Sequence, residues 1–437
     1  MKFSGGIHPA SLKTLSGVRD LLIIPPPKNA TIPLHQHTGS PCEPLFEVGH
    51  LVSVADKIGD STAFISAPVH TSIGGTITAI AMAPHPLLGE SRAIIIGAEG
   101  SQDFNEPEWR EWERLLPDEI ISIVREAGIV GMGGAAFPTH VKMKIPEGKK
   151  ADILIINGAE CEPYLTADEK IILMHPSRIL EGIKILCSVI RPQRCLIAIE
   201  DNKPEAMKVL QESLNSQKMP VPTEVRRLKT LYPQGSEKQL IYSLTEREVP
   251  SGGLPVDVGV LMQNVGTALC IFEAVVKRKP LFERVITVSG MAIAQPGNYL
   301  VRLGTPIEDI VKFAGGIKGK CAKVIMGGPM MGVAQCNLGA PVIKGTSGLL
   351  FLSEKEAARS NEGPCIRCGA CLKNCPMRLS PTHLARMARK GRFEEAKAEH
   401  HLMDCIECGC CTYACPARIP IVHYVRLAKA ALRNKTQ

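Results

Sequence analysis

Between residues 151 and 276 the apolar positions alternate between two regimes. Short continuous apolar runs, bounded by turn residues, read as buried strands, and longer stretches with apolar residues three and four apart read as helices. The pattern predicts strands over 152–157, 195–200, 224–229 and 258–263, and helices over 167–174, 176–189, 204–215, 237–244 and 267–276. Alternation of this kind predicts a Rossmann-like α/β layer. Upstream, Pro117 opens a helix over 117–127 with Ile120, Ile123, Val124 and Ala127 at helical spacing and Gly128 as its stop. Residues 105–116, with Trp109 and Trp112 three apart, read as a charged linker helix. The first hundred residues are different: short alternating runs cut by Pro and Gly, with a Pro triplet at 25–27, predict a small β module. Beyond residue 284 come a strand over 285–290, a Pro-Gly turn at 296–297, a helix over 306–314 and a helical stretch over 381–400 with Leu384, Met387 and Ala388 inward.

Length and composition bound this picture. At 437 residues and 45% hydrophobic, the chain has room for three or more domains. The longest apolar candidate for a membrane span, 249–276, is interrupted by Asp257, Gln263, Asn264 and Glu273, so no transmembrane segment is expected. The start, MKFSGGIHPA, has no charged-then-apolar signal pattern. Eight of the 16 cysteines belong to one repeated motif and seven more are scattered without disulfide-like spacing, which fits a reducing cytoplasm. Residues 365–437 hold 13 basic against 5 acidic side chains, an excess of eight that equals the whole net charge. Aromatic residues make up 4% of the chain and no basic run is interleaved with them, so nucleic acid is not the expected partner. An acidic protein partner or an anionic membrane surface fits the charge.

The chemistry is concentrated in those cysteines. Cys365, Cys368, Cys371 and Cys375, then Cys405, Cys408, Cys411 and Cys415, twice repeat C-x₂-C-x₂-C-x₃-C closed by Pro. Three thiolates three residues apart wrap one iron–sulfur cubane, and the fourth Cys of such a run crosses to the other cluster. The expected sets are therefore Cys365, Cys368, Cys371 and Cys415 for one 4Fe-4S cluster, and Cys405, Cys408, Cys411 and Cys375 for a second. A zinc pair is the alternative, but zinc spacings give paired C-x₂-C knuckles. Cys410 reads as an extra thiol that ligates nothing. Four polar or Gly-rich segments sit at turns or strand ends: Gly131-Met132-Gly133-Gly134-Ala135-Ala136-Phe137, 157–163, 232–237 and 263–267. The first matches a dinucleotide fingerprint only mechanically, because a helix precedes it and no acidic residue closes a strand about twenty residues on. Neither a Ser/His/Asp nor a Cys/His triad is legible, and the Met pair 330–331 reads as packing.

In this order, GMGGAAFPTHVK, NGAECEP, YPQGSEK and QNVGT resemble the flavin and NADH site of the NADH-binding flavoprotein subunit of respiratory complex I. With the FSGGIHP start and the double cluster motif, the whole chain resembles the Rnf C-subunit family of ion-translocating ferredoxin:NAD oxidoreductases. The resemblance implies a multidomain α/β and β fold. Its parts are a carrier-like barrel-sandwich hybrid over 1–104, a Rossmann-like flavin/NAD domain over 105–283, a β-grasp domain over 284–350 and an α-helical two-cluster ferredoxin domain over 351–437. The turn at 72–75 carries no modifiable Lys, which makes the first module a docking unit. FMN is implied beside Gly131, Gly133, Gly134, Lys142, Asn157, Glu160, Gly235, Glu237, Gln263, Asn264 and Thr267, with the nicotinamide of NAD(H) near Phe137 and Glu162. Met132 and Ala159 depart from the complex I pattern, which has Arg and Asp there. The implied setting is peripheral, on the cytoplasmic face of the bacterial cell membrane, among the other subunits of an electron-transport complex and in indirect contact with ferredoxin. The chemistry agrees: nicotinamide exchanges two electrons and clusters one, so a flavin must stand between them. A corrinoid reductase, or an electron wire with a vestigial flavin site, are the alternative readings.

Overall fold

The computed structural model describes residues 3–17, 19–357 and 361–434. Its centre is a four-stranded sheet in the order Thr223–Leu228, Arg194–Glu200, Ile153–Gly158, Val260–Asn264. All three pairings are parallel. The apolar runs that predict these strands are buried on both faces by helices, as parallel sheets require. Pro176–Ile190 and Val265–Val275 cover one side, with Ile179, Leu180, Ile183 and Ile271 fully buried between them and the sheet. Reading along the sheet, the strand order reverses between Ile153–Gly158 and Val260–Asn264. The carboxyl ends of those two strands therefore open onto the crevice where such folds bind ligands.

The flanking modules follow from their own patterns. Strands Asn29–Pro33, Gly89–Ala98, Gly75–His85 and Leu51–Val52 form one sheet of the N-terminal module, and Glu43–Pro44, Lys57–Asp60 and Val69–His70 the other. Ala30, Ile32, Ile58, Val69, Ile77 and Ile94 are sealed in its core. The six-stranded sheet of the third domain runs Leu22–Ile23, Gly297–Arg302, Glu283–Ser289, Gly348–Ser353, Cys321–Met326, Val333–Gln335. It takes strands from both the N-terminal stretch and the chain just before the cysteine motifs. In the C-terminal lobe, helices Pro381–Arg389, Phe393–His400 and Ile421–Asn434 bury Leu384, Met387, Val425 and Ala428 against one another.

Two predicted helices are corrected. Residues 105–116 form no helix, only a single turn closed by Leu115 N–H on Trp112 O at 3.0 Å. The segment contains Pro107, and its bonds go to the core instead: Arg110 N–H donates to Val276 O at 2.8 Å and Trp112 Nε1 to Glu181 at 2.9 Å. It is an irregular strap, with Trp109 set edge-on to Phe272. The stretch 381–400 breaks into two helices at Gly391, whose φ of +69° ends the first. There the Arg392 and Gly391 amides return to Met387 O and Ala388 O, the hydrogen-bond pattern of a glycine-terminated helix.

Candidate functional site

At the crevice, Asn157 and Asn264 stand opposite each other in the sheet register. Asn264 caps the following helix, its Oδ1 accepting from Gly266 N–H at 2.8 Å, while its Nδ2 donates to Asp168 at 2.7 Å. Asn157 Nδ2 donates to Gly235 O at 2.8 Å, which holds the 232–237 loop against the strand end. Over the same end lies the Gly-rich loop. Met132 N–H donates to Thr267 Oγ1 at 3.0 Å, and a Cβ placed on Gly133 would lie 3.7 Å from the Asn264 side chain. Gly134 has φ +112°, a conformation that only glycine adopts readily. Gly131 N–H donates to Phe137 O at 2.8 Å and closes the loop on itself. Lys142 and Glu237 pair at 2.7 Å, about one third exposed each. Glu160 accepts from Asp168 N–H at 2.8 Å at the start of helix Ala167–Met174, from a left-handed φ of +43°. Thus the structure brings Gly133, Asn157, Gly235, Asn264 and Thr267 to one strand-end crevice. Gln263 and Gln234 are buried there with their side-chain NH₂ groups lacking a partner among the described residues. Orphaned amide donors and a glycine backbone left bare fit a ligand rich in acceptor atoms, such as the ring and phosphate of FMN.

Glu162 is placed differently. Its carboxylate accepts from Met330 N–H at 3.1 Å and Met331 N–H at 2.9 Å, in the 327–332 loop of the third domain, and Tyr232 Oη lies at 3.3 Å. Burial pushes this carboxyl up to about 7 even though those donors favour its charged form. Both oxygens are occupied inside the chain, so the Met pair makes backbone contacts that its side chains do not explain.

Several residues of this region have no legible signal in the sequence. Arg284 is buried and donates to Met132 O at 3.4 Å and to Lys344 O, so the domain after the flavin layer supplies a cation behind the Gly-rich loop. Burial lowers it to about 10, with Asp168 as the opposing charge. Burial, with the Glu160 carboxylate beside it, holds Asp168 well above its ordinary range. Lys203 is sealed and donates to Ala159 O at 2.8 Å. Thr38 of the first module donates through its amide to Ala136 O at 3.2 Å and through Oγ1 to Ala135 O at 2.9 Å. Contacts such as these join segments far apart in the chain, which no local pattern shows.

The eight motif cysteines line two cavities. Cys365, Cys368, Cys371 and Cys415 line one, with Arg386 and Lys390 at its rim. Cys375, Cys405, Cys408 and Cys411 line the other, together with Cys410. Each cavity presents four soft sulfur donors, the set a 4Fe-4S cluster takes. Burial raises Cys405 to about 11 and raises Cys371, Cys375 and Cys411 as well, so a bound cationic metal is what would hold them as thiolates. Cys410 is fully buried with its thiol 3.9 Å from Tyr232 O. Tyr232 also donates through Oη to Cys408 O at 2.8 Å, and Ile7, Tyr232, Cys408 and Cys410 form one apolar cluster. The second cavity therefore abuts the flavin domain. Every described residue lining the first lies between Cys365 and Ile421.

Comparison with known proteins matches four parts of the chain. Residues 1–101 match the RnfC barrel-sandwich hybrid domain, 124–273 the Nuo51 FMN-binding domain, 285–334 the SLBB domain and 364–419 the 4Fe-4S dicluster domain. The chain is 45% identical over 404 residues to the C subunit of the proton-translocating ferredoxin:NAD(+) oxidoreductase complex of Clostridium ljungdahlii, covering 92% of this chain and 88% of that one. It is 39% identical over 399 residues to the C subunit of the Na(+)-translocating complex of Acetobacterium woodii, covering 91% and 89%. Among solved structures, an NAD+-reducing [NiFe]-hydrogenase in the H2-reduced state superposes with a TM-score of 0.51 at 20% identity, over 72% of this chain and 62% of that one, a likeness of fold. A barrel-sandwich hybrid, an FMN-binding domain, an SLBB domain and a 4Fe-4S dicluster domain in one order, with identity sustained over nine tenths of the length, place the chain in the family of C subunits of ferredoxin:NAD oxidoreductase complexes, electron-transfer proteins that carry FMN and two 4Fe-4S clusters.

Proposed function

We propose that this subunit is itself an NADH-reactive flavoprotein, exchanging electrons with NAD(H) at FMN and passing them through two clusters to another subunit of its complex. The observation that carries the reading is the junction at Tyr232. The 232–237 loop reaches the flavin crevice at Gly235 and, through Tyr232 Oη, the backbone of Cys408. FMN, when bound, supplies the conversion between two-electron hydride chemistry and one-electron transfer. The chain's own part is to hold it. Gly131, Gly133 and Gly134 let the backbone approach the ring, while Asn157, Gln263, Asn264 and Thr267 supply polar groups at the strand ends. Glu160, Gly235 and the Lys142–Glu237 pair are assigned to the same crevice, and Phe137, half-buried in the Gly-rich loop, to the nicotinamide. Glu162, bonded to the Met330 and Met331 amides, is assigned to joining domains rather than to the nicotinamide ribose.

The cluster held by Cys405, Cys408, Cys411 and Cys375 is then proximal to the flavin, and that held by Cys365, Cys368, Cys371 and Cys415 is distal. The distal cavity opens to the surface beside Ile366, 65% exposed, and the exposed Arg367, Arg386 and Lys390. A basic rim around an open cluster suits an acidic redox partner. Among the described residues no helix is long and apolar enough to cross a membrane. The proposed setting is peripheral, on the cytoplasmic face, where NADH is available. The decisive experiment is anaerobic purification followed by flavin analysis and NADH-dependent ferricyanide reduction. The expected result is about one FMN per chain and activity lost in Gly134→Val, whose branched side chain cannot adopt φ +112° without a cost of about 1–3 kcal/mol. Iron content should survive in that variant. Intact clusters without flavin or NADH activity in the unaltered protein would leave an electron wire and overturn the proposal.

A further inference from the structure

The flavin and cluster motifs make no use of the segment that begins the chain, yet that segment occupies the junction between the flavin domain and the proximal cluster cavity. Gly6 N–H donates to Asn374 O at 3.2 Å, immediately before Cys375. One residue on, Ile7 and Tyr232 exchange both backbone hydrogen bonds, at 2.9 and 3.0 Å. Neither glycine is replaceable without moving a backbone. Gly5 has φ +77°, and a Cβ there would lie 2.8 Å from both C and O of Cys375. Gly6 has φ +83°, and its Cβ would lie 2.8 Å from Tyr232 O. Further along, Lys13 Nζ donates to Glu160 O and Glu162 O at 2.9 Å each and to Leu165 O, gathering the loop that leaves the flavin-domain strand Ile153–Gly158. Tyr164 N–H donates to Ser11 O at 2.7 Å, and Ser16 Oγ to Tyr164 O at 3.1 Å. A single short segment thus touches the backbone next to a cluster cysteine, the Tyr232 loop and the Glu160 loop.

We propose that residues 3–17 form a strut that sets the distance between the flavin crevice and the proximal cluster, with Gly5 and Gly6 as positioning residues that allow its closest approach. This rests on the proposed function, in which electrons pass between those two sites. Electron transfer falls steeply with separation, so a spacer that prevents even a small retreat of the cluster lobe governs its rate. An alanine at residue 5 must push Cys375 and Ser4–Gly5 apart, while the flavin-domain contacts of Lys13 and Ser16, eight or more residues further along the strut, stay intact.

The test uses the full-length, cofactor-loaded chain, comparing Gly5→Ala with the unaltered protein. Stopped-flow absorbance follows flavin reduction and cluster reduction by NADH separately. Hydrogen–deuterium exchange reads the Gly6, Ile7 and Tyr232 amides. In Gly5→Ala, flavin content, iron content, flavin reduction and dithionite reduction of the clusters should be unchanged. Cluster reduction by NADH should slow roughly tenfold or more, in keeping with the cost of small misplacements, and the three amides should exchange faster. Should Gly5→Ala lose iron or fail to fold, Ile7→Ala supplies the same test, since it removes only a side chain from the Tyr232–Cys408 contact. Its effect should have the same sign and be smaller. Unslowed cluster reduction by NADH in a folded variant overturns the strut, whereas absent flavin reduction in the unaltered protein overturns the function it rests on.

Discussion

The two cysteine cavities have the same ligand spacing and opposite surroundings. Around Cys375, Cys408 and Cys411 the thiols are buried, and Tyr232, Ile7 and Met330 pack directly on the motif. Around Cys365 and Cys368 they are exposed, with basic side chains at the rim. A C-x₂-C-x₂-C-x₃-C run specifies a cluster but says nothing of its place in a chain of electron carriers. That place comes from what packs on it. The buried cavity faces the chain's own flavin domain, and the open one faces whatever approaches from solvent.

Removing one fourth ligand from each motif breaks this comparison most severely. Cys375→Ser should abolish the proximal cluster, leaving about four of about eight irons, and stop NADH-driven reduction of the distal one. Cys415→Ser should lose a similar amount of iron from the distal cavity while NADH still reduces the proximal cluster. Electron paramagnetic resonance of the two variants distinguishes the signals, and loss of the same signal from both would refute the crossed pairing and the order.

A smaller effect is expected at the rim. Reversing two exposed charges, in Arg386→Glu/Lys390→Glu, should slow electron exchange between the distal cluster and a soluble acidic ferredoxin by about tenfold at low salt. The deficit should shrink as salt screens the field. Reduction of both clusters by NADH should be untouched. Equal slowing of the internal step would show that the rim acts on the lobe and not on a partner.

The mildest test concerns Glu162, which ties the flavin domain to the loop beside the proximal cluster. Its folded value of about 7 lies above the ordinary 4.5, so the folded chain holds this proton over a range in which the unfolded chain releases it. The resulting stabilisation is complete below about pH 4.5 and is lost as pH rises through 7, on the order of 3 kcal/mol in all. Glu162→Gln, which cannot ionise, should flatten that part of the stability–pH profile measured by thermal unfolding. The KM for NADH should not change. A raised KM with an unaltered profile would return Glu162 to the nicotinamide ribose.

Local patterns carried a large part of this architecture. Apolar runs and their punctuation placed helices 167–174 and 204–215 at the limits the structure shows, because a buried face and a Pro or Asn boundary are local properties. They failed at 105–116, where charge and paired tryptophans looked helical. There the backbone bonds of Arg110 and the indole of Trp112 find partners in distant helices, and tertiary contacts outweigh a weak propensity. The same division runs through the site. Motif order singled out the loops that meet at the strand-end crevice and the eight thiols that line the two cavities. Arg284 behind the Gly-rich loop, Lys203 behind Ala159 and Lys13 under the Glu160 loop were invisible, since a buried cation is recognisable only from the carbonyls that surround it.

By itself, then, the sequence determined which cofactors this chain can hold, because ligand type and spacing are written in short stretches: thiols every third residue, glycines where a backbone must lie bare, asparagines at strand ends. Only the tertiary structure decided what packs on each cysteine cavity and what Glu162 touches. The buried and the open cavity, and the contact of Glu162 with the Met330 and Met331 amides, depend on pairs such as Tyr232 with Cys408 and Gly5 with Cys375, which meet across 176 and 370 positions of chain. Contacts at that separation are set by the packing of whole domains, which no window of residues contains.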